Sequence, residues 1–206
     1  MKIIPATIQH IEAVVDIFCS AFESSISFFA PVNAKLKKAF RDMFTLLHSV
    51  FGKGFMVAVA GDEVCGYIVM ADDIKRLWLR AVFSGFIVKM AARAAFGAYG
   101  LNPATIFRVI RNKLFYMKFE MSTLPCAQLL SIAVQPEHQG RGIGRKLLEA
   151  GINYMESLGI KKIKLEVRPD NTPAVNMYEK YGFRPAGRAR DLQGDWLIMV
   201  RECSRR

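Results

Sequence analysis

The chain has 206 residues, enough for one domain with a substantial core, because single domains commonly hold about 100 to 200 residues. Its formal net charge of +11 makes nucleic acid, an anionic membrane and an acidic substrate all admissible partners. Every long apolar stretch is interrupted by charged residues, so the sequence predicts no membrane-spanning helix. Acidic residues within the apolar N-terminal stretch also argue against a secretory signal.

The cysteine and histidine content argues against both a metal site and a disulfide framework. Cys19, Cys65, Cys126 and Cys203 stand far apart in sequence and form no CxxC pair. The three histidines offer few further metal ligands. We therefore expect reduced thiols, no metal ion and a cytoplasmic protein.

The N-terminal part of the chain alternates between strand and helix patterns. A short strand at residues 2–4 precedes an amphipathic helix that Thr7 could cap and that ends near Phe22. A second amphipathic helix is predicted over residues 35–51 and is followed by two glycines. The period then changes to two, and FMVAVA and VCGYIVM, separated by residues 61–63, predict a β-hairpin.

Residues 72–118 are apolar, basic and helical in pattern. Ser84 and Gly85 break the pattern into two short helices. From Lys75 to Lys118 the chain has nine basic residues and no carboxylate, so most of the excess positive charge is local.

The C-terminal part predicts the rest of a mixed sheet. The apolar strand LLSIAV precedes QPEHQGRGIGRKLL, which opens a helix that ends at Gly159. In the next strand, IKKIKLEV, apolar and charged residues alternate, so Glu166 is expected on the charged face. Thr172 is expected to cap a further helix that has Pro173 at its first position and ends at Gly182. Two strands near residues 183–188 and 196–201 complete the order.

The glycine-rich stretch between strand and helix is suited to binding a phosphate. The first amide groups of a helix have no internal partner, and the helix dipole favours negative charge there. Arg141, Arg145 and Lys146 add positive charge that suits a polyphosphate. An ordinary helix start with turn glycines is the alternative. A dinucleotide fingerprint would need glycine where the chain has Arg145, and no GKS or GKT of a Walker loop exists.

The form Q-x-x-G-x-G, present here as QGRGIG after an apolar strand, resembles the acetyl-CoA pyrophosphate loop of the GNAT acyltransferases. The downstream LEVRPDNTPAVNMYEKYGF is similar to the family's strand, asparagine and tyrosine-bearing helix, and is closest in wording to bacterial ribosomal-protein N-terminal acetyltransferases. The resemblance covers about residues 129–187. It implies an α/β (α+β) fold with a mixed central sheet of about six or seven strands flanked by helices. We expect one such domain over residues 1–206, with a helical insertion at about 72–118.

The resemblance implies acetyl-CoA as the acyl donor and assigns residues to it. In the family the strand before the loop pairs with the pantetheine arm, the loop amides hold the pyrophosphate, and the asparagine contacts the CoA arm. The corresponding residues here are Ile132, Ala133, Val134, Gln139, Gly140, Arg141, Gly142, Ile143, Gly144, Arg145, Asn171, Ala174, Met177 and Tyr178. Without the resemblance, Ile132 and Val134 are equally explained as core residues, and Asn171 as a turn residue.

Two residues are candidates for acid and base catalysis. The family uses a tyrosine at the place of Tyr178 as the acid that protonates the departing thiolate, and a phenol can do so. Related N-terminal acetyltransferases carry a glutamate at the place of Glu166, which makes it the candidate base for the amine. A packed tyrosine and a salt-bridged glutamate are the structural alternatives. Glu23 and Glu120 are weaker candidate bases, and Cys126 has no histidine nearby in sequence to activate it as an acyl carrier.

These observations predict an N-acetyltransferase, an acyltransferase for groups other than aminoacyl groups, acting on a primary amine of a protein N-terminus or a small molecule. The alternative is a catalytically silent acyl-CoA-binding module for sensing or membrane-surface interaction. Residues 74–118 could face an acidic acceptor or an anionic membrane, with Trp78, Phe83, Phe86 and Phe96 as an apolar face. Packing on the core or on a second copy, as in a homodimer, is equally open. No nucleic acid is expected.

Overall fold

The computed structural model describes residues 1–108 and 126–203. It contains one seven-stranded sheet in the order β1-β2-β3-β4-β5-β7-β6. The strands are β1 (Lys2–Pro5), β2 (Phe55–Ala60), β3 (Glu63–Ala71), β4 (Ala127–Val134), β5 (Lys162–Val167), β6 (Arg184–Asp191) and β7 (Gly194–Glu202). Neighbouring strands are antiparallel except β4 and β5, which are parallel. The predicted mixed sheet of six or seven strands is confirmed.

The helices lie in the connections between these strands. They are α1 (Ile11–Ala21), α2 (Glu23–Ser27), α3 (Ala34–Phe51), α4 (Ile74–Phe83), α5 (Phe86–Ala95), α6 (Ile143–Ser157) and α7 (Thr172–Lys180). The predicted break at Ser84 and Gly85 is present between α4 and α5, where Gly85 has a positive φ of 67°. Residues 103–108 are also helical, and the rest of the predicted insertion lies outside the described residues. No helix within residues 1–108 or 126–203 is long and apolar enough to cross a bilayer.

Hydrophobic clusters cover both faces of the sheet. On one face, α1 and α3 pack on β2 and β3, and the buried ring of Phe44 contacts Phe55 and Tyr67 at centroid distances of 6.0 and 5.5 Å. On the other face, α6 buries Leu147 and Leu148 against β3 and β4. Each buried side chain of this size contributes about 1.5 to 3 kcal/mol, so the two clusters hold the sheet between helical layers.

Two predicted helix starts differ from the structure. Thr7 caps a single 3₁₀ turn, because its backbone N–H donates to Nδ1 of His10, and α1 begins only after that turn. The start of α7 is capped by Asn171, whose Oδ1 accepts from the backbone N–H of Ala174 at 3.3 Å. Thr172 is the first residue of α7 and not its cap, so that prediction was wrong by one residue.

Gly66 allows β3 and β4 to approach closely. A Cβ atom at Gly66 would lie 2.8 Å from the backbone oxygen of Ala133 and 3.2 Å from Cδ1 of Leu147. A central strand cannot move aside easily, so we expect Gly66→Ala to lower the free energy of unfolding by about 1 to 3 kcal/mol. Urea unfolding measures the change.

Gly187→Ala is the matched control, because its added Cβ would meet only Cδ1 of Ile198, at an ordinary 3.8 Å. Equal unfolding midpoints for the Gly66 and Gly187 variants would contradict the close β3–β4 contact.

Candidate active site

The parallel strands β4 and β5 pair over only two residues and then separate. Ala127 is opposite Ile163, and Gln128 is opposite Lys164. Beyond Gln128, β4 continues to pair with β3 as far as Val134. The edge of β4 that faces β5 therefore has no strand partner over most of its length. Backbone groups inside a protein need hydrogen-bond partners, so this opening suits an extended ligand.

The β3–β4 register shifts at Leu130, which makes a bulge in β4. Leu130 packs toward α1 and α3, and Oγ of the next residue, Ser131, lies 2.7 Å from the hydroxyl of Tyr67 on that same face. Leu129 and Ile132 pack on the opposite face. A bulge leaves its extra residue outside the ladder, and such irregularities are frequent beside active sites. This feature was not predicted, because LLSIAV is almost uniformly apolar.

The glycine loop has the geometry of an anion site. Gly140 and Gly142 have φ angles of 75° and 77°, and a Cβ atom at either would meet nothing within 4 Å. Glycine is favoured at both positions because of these positive φ angles and not because of crowding, and the space above the loop is open. Gly142 supplies no side-chain cap to α6, whose first N–H groups lack partners within the helix. Arg141 and Arg145 are exposed at this helix start and add positive charge.

Polar contacts tie the loop to the adjacent strands. The side-chain amide of Gln139 donates to the backbone oxygen of Val134 at 3.1 Å. Nε2 of His138 lies 3.3 Å from Oε1 of Glu63, and Arg141 donates to Nδ1 of His138 at 3.5 Å. The loop is therefore fixed to the end of β4 and to the start of β3.

One group of side chains among the described residues could hold a metal ion. It consists of Glu63, Cys65 and His138, whose potential ligand atoms lie within 4.8 Å of one another. Both ring nitrogens of His138 already have polar partners, and one of these is the guanidinium of Arg141. A cation beside the ligand set opposes metal binding. The absence of a metal stays a prediction.

Three elements that carry predicted cofactor residues meet at Gly144. A Cβ atom there would lie 3.7 Å from Cγ2 of Val134 and 3.8 Å from Sδ of Met177. Ile132 and Ala174 pack in the same cluster. The structure thus brings together the end of β4, the start of α6 and the face of α7.

Other predicted cofactor residues lie around this point with different exposure. The Ala133 side chain packs toward α1 and α3, on the face away from α6. The Ile143 side chain is buried under the helix start, so only its backbone can face the loop. Asn171 is exposed and uses its Oδ1 to cap α7, whereas its alternative interpretation was a turn residue. That cap does not use its side-chain NH₂ group.

Tyr178 lies on α7 in the buried cluster beneath α6, with only 5% of its surface exposed. Its ring meets Phe183 edge to face, with centroids 5.8 Å apart. Burial raises the pKa of the Tyr178 phenol to about 12, so it is protonated at neutral pH. Within the described residues no side chain or backbone group forms a hydrogen bond with its hydroxyl.

Glu166 lies on the opposite face of the sheet from Tyr178. Ile163, Leu165 and Val167 of β5 are buried toward α6, so the alternation of the strand turns Lys164 and Glu166 to the α1 side. Nζ of Lys164 lies 2.9 Å from Oε1 of Glu166, and both side chains are mostly buried. The predicted alternation of apolar and charged residues in β5 is confirmed. The salt bridge that was the structural alternative to a catalytic role for Glu166 is also formed.

The strand β7 and the turn before it complete the α1 side of the opening, which sequence patterns did not reveal. Ile198 of β7 is the register partner of Glu166. Nearby, the guanidinium of Arg168 stacks over the Trp196 ring at 4.2 Å. The side chain of Gln193 donates to the backbone oxygen of Ser25 at 2.6 Å, which holds the β6–β7 turn against α2.

The remaining candidate residues fit catalysis less well. Burial raises the pKa of the Cys126 thiol, which disfavours the thiolate that an acyl carrier needs. Glu23 is exposed at the start of α2. Glu120 lies outside the described residues.

A family model described as "Acetyltransferase (GNAT) family" matches residues 11–183. The chain belongs to the GNAT acetyltransferase family. The resemblance inferred from the glycine loop and the downstream strand and helix is therefore confirmed, and the family places the chain among acetyltransferases.

Two curated relatives are similar to part of this GNAT chain. The [ribosomal protein bS18]-alanine N-acetyltransferase of Escherichia coli (strain K12) is 45% identical over 81 residues, which cover 39% of this chain and 55% of that protein. A mycothiol acetyltransferase of Pseudarthrobacter chlorophenolicus is 46% identical over 52 residues, which cover 25% of this chain and 16% of that protein. The matches thus span 55% of the first relative and 16% of the second.

Solved structures resemble the whole GNAT fold. PH1933 from Pyrococcus horikoshii OT3 has a TM-score of 0.63 at 20% identity, covering 98% of this chain and 99% of that one. The Escherichia coli ribosomal-protein-S18-alanine N-acetyltransferase has a TM-score of 0.57 at 20% identity, covering 98% and 94%. The protein yncA from Salmonella typhimurium, solved with its cofactor acetyl-CoA, has a TM-score of 0.58 at 17% identity, covering 100% of this chain and 95% of that one.

The glycine loop yields a prediction about cofactor binding. Gly142→Asp introduces a carboxylate at the helix start, where it would repel a pyrophosphate and occupy the open space above the loop. We expect calorimetric titration to show at least a hundredfold weaker CoA binding, roughly the effect of 3 kcal/mol.

Gly159→Asp is the matched control, because Gly159 follows the other end of α6, has a φ of 73° and also has nothing within 4 Å of an added Cβ. Both variants carry similar backbone strain, so only the position of the charge differs. Equal CoA affinities for the two would contradict an anion site at this loop.

Proposed function

We propose that the protein is an N-acetyltransferase that takes an acetyl group from acetyl-CoA and transfers it directly to a primary amine. The observation that carries the proposal is the opening between β4 and β5, which adjoins the glycine loop in a member of the GNAT family. The acetyl-CoA in the yncA structure, which shares the fold, supports this choice of donor.

In this proposal the cofactor lies along the unpaired edge of β4. The backbone of residues 132–134 binds the pantetheine arm, and the amides of residues 139–145 bind the pyrophosphate, helped by the positive charge of Arg141 and Arg145. Ala174 and Met177 line the arm from α7, and Asn171 contacts it through its side-chain NH₂ group. The convergence of Val134 and Met177 at Gly144 supports this path.

Tyr178 is the proposed acid for the departing thiolate. A thiol has a pKa near 8.5, whereas burial raises the pKa of Tyr178 to about 12, so full proton transfer from the phenol would be unfavourable. A hydrogen bond from the phenol to the sulfur still stabilises the negative charge that develops there. Because the hydroxyl has no competing partner within the described residues, it is available for this contact.

Glu166 is the proposed base that removes a proton from the attacking amine, directly or through a water molecule. The amine approaches from the α1 side of the sheet, opposite Tyr178, so attack and departure occur on opposite sides of the acetyl group. Lys164 is paired with Glu166, and an ammonium acceptor would compete with Lys164 for the same carboxylate. After it has displaced Lys164, the ammonium group of the acceptor loses its proton to Glu166 within the site.

The proposed acceptor class is a protein N-terminus. The Escherichia coli relative that supports it is named for the alanine of a ribosomal protein, and the match covers over half of that protein. The mycothiol acetyltransferases match over a much smaller share of their length, so a small amine is the second acceptor class to test.

We further propose that residues 1–206 form one acetyltransferase domain, with α4 and α5 as an insertion between β3 and β4. The cytoplasm is its proposed location. All four cysteines are free, which suits a reducing compartment.

The proposal is tested by titrating the full chain with acetyl-CoA and then assaying CoA thiol release with N-terminal peptides, polyamines and amino sugars. Micromolar binding with release for one acceptor class supports the enzyme. Binding without release for every class favours the catalytically silent alternative, and no binding overturns both.

The role of Tyr178 yields a specific prediction. We expect Tyr178→Phe to lower kcat about tenfold or more, because the hydrogen bond to the thiolate is lost, while acetyl-CoA affinity changes little. Tyr181→Phe, at the end of the same helix, is the control and should keep the wild-type rate. Because the raised pKa keeps Tyr178 protonated, the wild-type rate should not fall with an apparent pKa near 10. An unaltered rate in Tyr178→Phe would remove Tyr178 as the acid.

The role of Glu166 yields a further prediction. Glu166→Gln keeps the shape of the side chain but cannot accept the proton, so we expect kcat to fall roughly a hundredfold with little change in KM for acetyl-CoA. The exposed Glu179→Gln on α7 is the control. A Glu166→Gln rate within about twofold of the wild type would assign the carboxylate to its salt bridge alone.

A further inference from the structure

Helix α4 presents apolar residues on two sides. Ile74, Leu77 and Ala81 face the protein. Four large apolar side chains occupy the solvent side: Trp78, Leu79, Val82 and Phe83, which are 47%, 56%, 57% and 84% exposed. At about 100° per residue these four span an arc of roughly 140°, wider than the stripe with which most surface helices face a core.

Helix α5 repeats this arrangement. Ile87 and Val88 are 45% and 73% exposed, and three alanines on the same side of the helix are also exposed. The exposed arc again spans roughly 140°. Phe96, just after the helix, is 89% exposed. Phe86, which sequence analysis placed on the apolar face with Trp78, Phe83 and Phe96, is instead half-buried.

The inner side of this helical pair is fixed to the body of the protein. Arg93 of α5 and the buried Tyr99 both donate to Oδ2 of Asp42 on α3, the tyrosine at 2.7 Å. This network and the contacts of α4 with the core determine which side faces outward. We call the exposed residues Trp78, Leu79, Val82, Phe83, Ile87, Val88 and Phe96 the apolar face.

Positive charges border the apolar face. Lys75, Arg80 and Lys89 are exposed and form no salt bridge with any carboxylate in residues 1–108 or 126–203. Residues 74–108 contain no aspartate or glutamate at all. Contiguous exposed apolar surface of this kind marks an interaction site, and the charge selects an anionic partner.

The positive charge beside the apolar face also distinguishes between the partners that could cover it. A second copy of the chain would bring the same three cations to a symmetric interface, and both copies carry a net charge of +11. An anionic bilayer offers negative headgroups to the cations and an apolar interior to the aromatic and aliphatic side chains. Helices with this distribution lie in the plane of the membrane interface.

We propose that the apolar face docks on the surface of an anionic membrane, with Lys75, Arg80 and Lys89 against the lipid headgroups. This binding uses no residue of the acetyl-CoA site and needs no cofactor. It therefore stands or falls separately from the proposed acetyltransferase activity.

The test measures binding of the full chain to vesicles of phosphatidylcholine with about 30% phosphatidylglycerol, by flotation and by tryptophan fluorescence. We expect binding to these vesicles, a blue shift of the Trp78 emission, and little binding to pure phosphatidylcholine. The double variant Phe83→Asp, Val88→Asp should lose flotation while keeping the wild-type melting temperature. The matched control is Ile8→Asp, because Ile8 is 58% exposed on another part of the surface.

A second pair of variants separates specific docking from general attraction by charge. The first triple variant, Lys75→Ala, Arg80→Ala, Lys89→Ala, should bind vesicles on the order of a hundredfold more weakly, since each cation near an anionic surface contributes substantially to the binding free energy. The control triple variant, Lys161→Ala, Lys180→Ala, Arg188→Ala, removes the same charge from exposed positions elsewhere and should weaken vesicle binding much less. Equal losses in the two triple variants would overturn the proposal. So would absence of flotation, or a stable dimer that Phe83→Asp, Val88→Asp converts to a monomer.

Discussion

The separation of β4 from β5 is the constraint on which the site depends. Two residue pairs hold the parallel strands together at one end, and the sheet then opens while β4 continues to pair with β3 as far as Val134. An opening inside a sheet exposes backbone donors and acceptors that other folds would pair. The clusters on both faces hold β3 and β4 in place beside the opening, because α6 packs on one face of these strands and α1 on the other.

The same opening connects two different environments. On the α6 side it meets a buried, apolar cluster in which a phenol stays protonated. On the α1 side it meets charged groups, with Glu166 and Lys164 paired in a mostly buried position. The proposed acid and base thus have different surroundings, because Tyr178 lies on α7 at one face of the sheet and the alternation of β5 turns Glu166 to the other.

The order of strands and helices could be predicted largely from local patterns. The glycine loop, the alternation around Glu166 and the break at Gly85 all rest on short-range backbone rules, which sequence shows directly. The bulge at Leu130 could not be predicted, because it reflects pairing with β3, and apolar residues fill both sides of that strand. The cap of α7 was misassigned by one residue because asparagine and threonine are both good caps, and only the geometry of the turn distinguishes them. The exposure of the apolar face could not be read from periodicity either, since α4 is apolar toward the core and toward solvent alike.

The position of α4 and α5 relative to the sheet connects the proposed membrane docking with the proposed acetyl transfer. Ile74 and Leu77 pack in the cluster on the α1 side, and Arg108 stacks over Phe28 at the end of α2, so the insertion belongs to the side on which Glu166 lies. A bilayer bound there would hold the amine entrance close to the membrane plane. Acceptors anchored in the same membrane would then be encountered by lateral diffusion in two dimensions, while acetyl-CoA would still arrive from the bulk in three.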